Sequence, residues 1–393
     1  GGGCCGQRSA PSRRRQSGDA AERPSDRRSR RARHAACVSR ATMLRFEGAQ
    51  MFRSRMVASI LSNRPMLIKG IRELSETPGV TDYEVCFAQL LDKLTNGTTI
   101  TINSTGTTVS VSKPGYVIGG SIEHQCEGRS VGYFLEGVMP LCLFAKEPIQ
   151  LTLTGITNDE VDISVDLLKT VTMRVLSRFG VSDPYPSVEV IERGLPPHGK
   201  GKIVFSCPVL RELKPINLTD PGFVRKVRGV AYGVRISPQL TNRMASTARG
   251  VFNTLLPDVY INTDHFKGRD LGMPSDPGYG LAIFSESTTG CFLGSKRAAI
   301  RQSAVSRENG RGPRAERLEV ERLETAHPDV EPLSGPEEVS KNASFQLLEE
   351  IERGGCIDTS HQGLVLMLMA LCPEDVSRVR LCKLSPQTLH IFR

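Results

Sequence analysis

At 393 residues the chain can bury a large core and divide into two domains. Its 39% apolar and 24% charged content is that of a soluble globular chain, and the absence of Trp argues against an aromatic platform for single-stranded RNA. The apolar run 363–372 is about half a membrane span, and the arginine-rich N-terminus has no apolar secretory core, so neither a membrane span nor a secretory signal is expected.

The net charge of +9 is unevenly placed: residues 1–42 hold eleven Arg, no Lys and three acids, whereas the rest carries 40 basic and 39 acidic side chains. RNA affinity therefore has to come from local patches or from the tail. The 11 Cys show no zinc-ribbon spacing, and Cys86, Cys142 and Cys372 lie in apolar stretches, which predicts reduced, packed thiols in cytosol or nucleus and no metal site.

Residues 1–42 are Gly-, Ser- and Arg-rich without a periodic apolar pattern, and are expected to be disordered. Three readings compete: a nuclear or nucleolar address, an RNA-clinging arm, or a translated leader preceding Met43. From there helical and strand periods alternate. The pattern predicts a helix over 52–61, a strand over 66–68, an amphipathic helix over 82–95, and a hairpin of 98–103 with 107–112 around Ser104-Thr105-Gly106. A second unit of the same order is read from 116–118 (extended), 131–144 (helix), 149–153 (strand), 165–179 (helix), 187–191 and 202–206 (strands), with a period of about 90 residues that suggests an internal repeat. The expected fold class is therefore α/β (α+β sandwich-type), with repeated β-α-β-α-β-β units over 43–207 forming a large domain.

Residues 208–295 break the rhythm and read as a small inserted α/β domain, with strands at 224–234, 258–262 and 281–285 and a helix at 238–256. The segment 296–335 has no aromatic and no Cys and is dense in charge, Pro and Gly; it is expected to be a disordered or aberrant insertion, or a mobile interaction loop. Helices over 341–353 and 362–372 and strands at 378–381 and 388–392 give 336–393 as a third, truncated unit.

The most informative stretch is Arg193-Gly194-Leu195-Pro196-Pro197-His198-Gly199-Lys200-Gly201-Lys202-Ile203, a Gly/Pro turn running into a β-branched strand. Such a turn can offer open N–H groups to an anion, with Arg193, Lys200 and Lys202 as the basic candidates. Its wording resembles the signature of the RNA 3'-terminal phosphate cyclase family, with the family's glycine triplet broken into His198-Gly199-Lys200-Gly201. Further blocks carry the likeness over about 43–295 and 336–393, among them Leu90-Leu91-Asp92-Lys93-Leu94-Thr95-Asn96-Gly97, Gly155-Ile156-Thr157-Asn158-Asp159 and Leu218-Thr219-Asp220-Pro221-Gly222. They are similar to the family's branch without cyclase activity.

That resemblance implies two places for the chemistry. A glycine-dense nucleotide loop corresponds to Glu47-Gly48-Ala49-Gln50-Met51-Phe52-Arg53, which is short in Gly. A nucleophilic His that takes AMP from ATP precedes an apolar helix near the C-terminus. Aligned there, Ser360 occupies the position and His361 follows it, turned by about 100° on a helix, so no catalytic residue is assigned and His361 is the nearest candidate, otherwise a surface or cap histidine. Glu123-His124 and Asp264-His265 meet the objection as acid/base pairs that neighbours on a strand face opposite sides; Asp159, Asp162 and Asp166 could seat Mg²⁺, yet solvated acids near a helix N-terminus explain them as well, and none of these is assigned as catalytic. Basic clusters at Arg53, Arg55, Arg64, Lys69 and Arg72, and at Arg225, Lys226, Arg228 and Arg235, are the RNA candidates.

The resemblance thus implies a catalytically inactive, cyclase-like ribosome biogenesis factor of the nucleus and nucleolus. It would act in pre-18S rRNA processing and small-subunit assembly, without cofactor, metal or membrane. The implied partners are a nucleolar GTPase of the small-subunit processome, pre-rRNA and a small nucleolar RNP context. The alternatives are an active ATP-dependent RNA 3'-phosphate cyclase and a pre-rRNA endonuclease.

Overall fold

A computed structural model of the chain describes Gly1 and residues 43–181, 185–267, 276–300, 335–373 and 376–392. The expectations for 1–42 and for most of 296–335 lie outside the described residues. Met43–Arg393 forms one compact unit.

The fold is mixed α/β, built on repeated β-α-β-α-β-β units. The first comprises β1 (Leu44–Glu47), α1 (Phe52–Ser62), β2 (Met66–Lys69), α2 (Asp82–Leu94), a two-residue β3 (Thr95–Asn96), β4 (Thr99–Ile102) and β5 (Val109–Lys113). Its sheet runs β1-β2-β5-β4, with β1 and β2 parallel and Met66 opposite Val111 across the antiparallel β2–β5 ladder. Helix α1 buries Phe52, Met56, Val57 and Ile60, the spacing that predicts it. At the start of α2, the Glu84 carboxylate reaches back and accepts the Thr81 backbone N–H at 3.0 Å. That helix stops at Leu94 because Thr95 and Asn96 pair with β6 (Tyr116–Val117).

The second unit comprises β7 (Gly120–Gln125), α3 (Val131–Cys142), β8 (Ile149–Gly155), the helical run α4 (Val165–Leu167), a π-helical stretch (Leu168–Thr172) and α5 (Met173–Arg178), then β9 (Ser187–Glu192) and β10 (Gly201–Cys207). The order β7-β8-β10-β9 repeats that of the first sheet. Its first strand is β7, not the 116–118 segment expected to fill that role, which pairs with β3 instead. One core runs through both units, with Phe87, Phe134, Phe179 and Phe205 fully buried.

The chain then forms β11 (Asn217–Leu218), β12 (Val224–Val234), α6 (Pro238–Phe252), β13 (Val259–Phe266), β14 (Gly278–Ser287), β15 (Phe292–Ile300), α7 (Pro336–Glu352), α8 (Gln362–Ala370), β16 (Arg378–Val379) and α9 (Pro386–Ile391). Strands β12 to β15 make a separate sheet, β13-β12-β14-β15, and a second core joins it to α6 and α7 through Met244, Phe252, Ile283, Val339 and Leu347. Strand β15 carries Lys296–Ile300 into the ladder, paired with β14, where sequence reading expects disorder. The 388–392 segment, expected as a strand, is helical: Ser385 caps α9 by accepting the Thr388 N–H, and Pro386 starts it.

Strand β11 pairs in parallel with β16. Arg380 N–H donates to Leu218 O at 2.8 Å, and Arg380 O accepts Cys356 N–H at 2.9 Å. The chain therefore leaves the flank of β16 after Leu218 and rejoins it at Cys356. Among the described residues, no helix is long and apolar enough to cross a membrane.

Candidate functional site

The turn between β1 and α1 forms one wall of a cleft of about 310 Å³. Gly48 (φ 72°) and Met51 (φ 54°) both take left-handed backbone there, and Gly48 N–H bonds Lys69 O at 2.8 Å. Arg55 locks the turn from outside: its guanidinium donates to Glu47 O and Gly48 O and lies 4.8 Å from the Phe46 ring centroid. That burial lowers its pKa.

Three arginines line the cleft, and each is committed to an acid. Arg53 donates to Tyr133 O and to Glu136 at 3.3 Å, with its guanidinium 3.9 Å from the Tyr133 ring centroid. Arg72 forms a bidentate pair with Glu84 at 2.8 and 2.7 Å, which raises its pKa against the opposing effect of burial. Arg129 bonds Asp162 through Nε at 2.8 Å and through Nη2, and stands over Tyr83 and Tyr133. Burial works against the Arg129 cation, but Asp162 outweighs it and the pKa rises. Tyr83 and Tyr133 meet edge to face at 5.4 Å. A ligand phosphate here would meet arginines whose charge is already offset by a carboxylate.

The opposite wall comes from α9, through Gln387 and His390. His390, one helical turn past Gln387, therefore stands on the cleft beside the Glu47–Arg53 turn. His361 does not. It caps α8 with its side chain 1% exposed, which corrects the expectation of a surface position. Its Nδ1 bonds Asp358 at 2.7 Å and its Nε2 bonds Thr172 Oγ1 at 2.8 Å. Burial pulls the His361 pKa down, but the Asp358 carboxylate more than offsets it and the net shift is upward. Both ring nitrogens of His361 are thus engaged inside the protein.

The signature turn has already found its anion. The His198 backbone N–H and Nδ1 both engage Asp276, and Gly199 N–H closes back on Leu195 O. Arg193 is 3% exposed and pairs bidentately with Asp166 at 2.9 and 2.7 Å and through Nε with Asp264 at 2.8 Å. Lys200 and Lys202 are half-buried. On the third sheet, Arg225 and Lys226 share Glu286, and Arg228 pairs with Asp258. Of the twelve basic candidates, Arg53 and Arg72 line the cleft; the others lie in or beside α1 and β2, in the signature turn and β10, and in or beside β12.

Sequence reading missed Tyr83, Arg129, Tyr133, Gln387 and His390. The Ser385-Pro386 helix start was the available signal for the last two, since it puts positions 387 and 390 on one helix face.

The family model for RNA 3'-terminal phosphate cyclase matches residues 44–393. The chain is 43% identical to the human RNA 3'-terminal phosphate cyclase-like protein, over 91% of this chain and 88% of that one. It is 41% identical to the probable RNA 3'-terminal phosphate cyclase-like protein of Dictyostelium discoideum, over 89% of this chain and 90% of that one. It is 38% identical to the rRNA processing protein rcl1 of Schizosaccharomyces pombe, over 87% and 85%. The repeated β-α-β-α-β-β sheets, the signature turn and the matched length agree: the chain belongs to the RNA 3'-terminal phosphate cyclase family.

Proposed function

We propose that the protein is an rRNA processing factor that uses a cyclase-type scaffold without cyclase activity. It acts on the pathway to 18S rRNA during small-subunit assembly in the nucleolus. The observation that carries the processing role is the 38% identity to a relative named as an rRNA processing protein. Support for inactivity comes from the cleft, where Arg53, Arg72 and Arg129 are each paired with an acid. A nucleolar GTPase of the small-subunit processome is the proposed protein partner, with pre-rRNA and small nucleolar RNPs as the setting. We take the sheet β12–β15 with α6 and α7 as the inserted module, because Leu218 and Cys356 both bond to Arg380 at its two ends.

Depletion of the protein followed by blotting of pre-rRNA tests the reading. Precursors of 18S rRNA should accumulate and return to normal on re-expression; normal precursor levels after depletion would refute it. Affinity purification from nuclear extract tests the GTPase partner.

An active cyclase is the second reading, favoured by the position of His390 on the cleft. Incubation with labelled ATP separates the two: acid-labile adenylate on the protein, lost in His390→Ala, would establish cyclase chemistry.

A further inference from the structure

The helical run 165–178, made of α4, the π-helical stretch and α5, buries nearly all of its residues. Its exposed positions are Lys169, Arg174 and Arg178, and each is a cation. Thr170 and Ser177 are half-buried and turn their hydroxyls back on the helix, to Asp166 O and Arg174 O. The run exposes no acid and no apolar side chain.

The π-helical stretch aligns these cations. On a continuous α-helix, positions five apart stand about 140° apart around the axis. Here Met173 N–H bonds Leu168 O, five residues back, so the turn takes in one extra residue. Lys169 and Arg174 thereby come within about 40° of one another, and Arg178 follows one α-turn later. At the end of the run Lys214, also exposed, continues the line: its N–H donates to Phe179 O at 2.8 Å and its stem lies against Gly180.

None of the four is in an ion pair among the described residues; Arg178 donates to the carbonyls of Thr289 and Gly290 instead. The cleft is the opposite case, since its arginines each face a carboxylate. The helix C-terminus accounts for a cation at Arg178 and Lys214, but Lys169 and Arg174 lie before the last turn.

We propose that Lys169, Arg174, Arg178 and Lys214 form an RNA contact separate from the cleft, which holds the backbone of a double-stranded segment. The choice of RNA as the polyanion rests on the rRNA reading above. Cations one turn apart stand about 6–7 Å from one another along the axis, close to the step between consecutive phosphates of one strand. The run has no exposed aromatic or aliphatic side chain to anchor a protein partner or to stack an unpaired base. Phosphate contact of this kind gives affinity without sequence preference.

The test uses the full chain and a fluorescein-labelled RNA hairpin with an uninterrupted stem, followed by anisotropy over a salt series. Lys169→Gln/Arg174→Gln should weaken binding at least about tenfold at about 0.1 M salt and lower the slope of log K against log[salt] by about 2. Lys113→Gln/Lys383→Gln removes the same charge from exposed sites elsewhere and should change binding less than about twofold. Acetylation footprinting of the unaltered protein needs no variant: the hairpin should protect Lys169 and Lys214 but not Lys113. The proposal is overturned if the Lys169/Arg174 variant loses no more affinity than the charge-matched one, if the salt slope is unchanged, or if Lys169 stays open to acetylation with the hairpin bound. A uridine decamer that binds and protects as well as the hairpin would assign the stripe to single strands. Protection by a glutamate decamer but not by the hairpin would assign it to an acidic protein. None of these results bears on pre-rRNA levels after depletion, so failure here leaves the processing role standing.

Discussion

Asp276 reaches into the signature turn and takes the His198 backbone N–H at 2.8 Å, with His198 Nδ1 3.1 Å from the same carboxylate. A turn whose open N–H groups are suited to an external anion is thereby occupied by an internal one. Asp276→Ala should uncover it. The variant should gain sulfate-dependent stabilisation on the order of 1 kcal/mol at matched ionic strength, visible as a melting temperature a few degrees higher. An equal gain in the unaltered protein would mean that the carboxylate does not fill the turn.

Arg193, paired with buried Asp166 and half-buried Asp264, holds the same turn to α4 and to β13. Removing the cation alone, as in Arg193→Met, strands a buried carboxylate and should cost about 3–5 kcal/mol in urea unfolding. Arg193→Lys should recover little, because one ammonium cannot reproduce the bidentate contact. Burial pushes the Asp166 pKa up, but the charge and hydrogen bonds of Arg193 outweigh it and the net shift is downward. Its contribution is therefore full above the ordinary value of about 3.9 and is lost as the pH falls through the lower folded value.

Two buried histidines titrate in opposite senses. Burial, helped by Lys93, lowers the His124 pKa to about 4, so between about 4 and 6.5 the unfolded chain holds a proton that the folded one refuses. Stability from this group falls as the solution is acidified below 6.5. For His361 the folded pKa is raised, so its contribution is complete below the unfolded value of about 6.5 and is lost as the pH climbs through the folded value. Stability should therefore peak near neutral pH. His124→Gln should flatten the acid limb and His361→Asn the alkaline one, in urea melts across the range. Parallel curves for variant and parent would show that these side chains do not set the profile.

Backbone proximity predicts a contrast between two glycines. A Cβ on Gly132, in the first turn of α3, would sit 1.9 Å from Ile163 O, whereas one on Gly250 in α6 meets nothing within 4 Å. Gly132→Ala should destabilise by about 3 kcal/mol. Gly250→Ala should stabilise by about 0.5–1 kcal/mol through helix propensity. Thermal unfolding of both variants decides it, and similar effects would refute the packing argument.

Periodicity made most of the fold legible. Alternation over Val224–Val234 and the helical recurrence of Phe52, Met56 and Ile60 reported the burial that the structure shows. Strand β7 was hidden because Gly120, Ser121 and Gln125 carry no strand preference; its parallel ladder with β8 supplies the order. In α9 the alternation of Thr388, His390 and Phe392 suggested a strand, but the Ser385 cap and Pro386 prevailed. The cleft was the least legible part. Arg53 and Arg72 lie in a recognisable basic cluster, but Tyr83, Arg129, Tyr133 and His390 come from elements far apart in the chain, and only tertiary packing brings them around one cleft.

Leu218 and Cys356 meet on opposite ends of one residue, Arg380, so everything between them begins and finishes at almost the same point. A span with such neighbouring ends can be cut out and its borders rejoined by a few linking residues without moving β16. If that span is an inserted module, as proposed above, its exchange would leave the pairing of β11 with β16 in register.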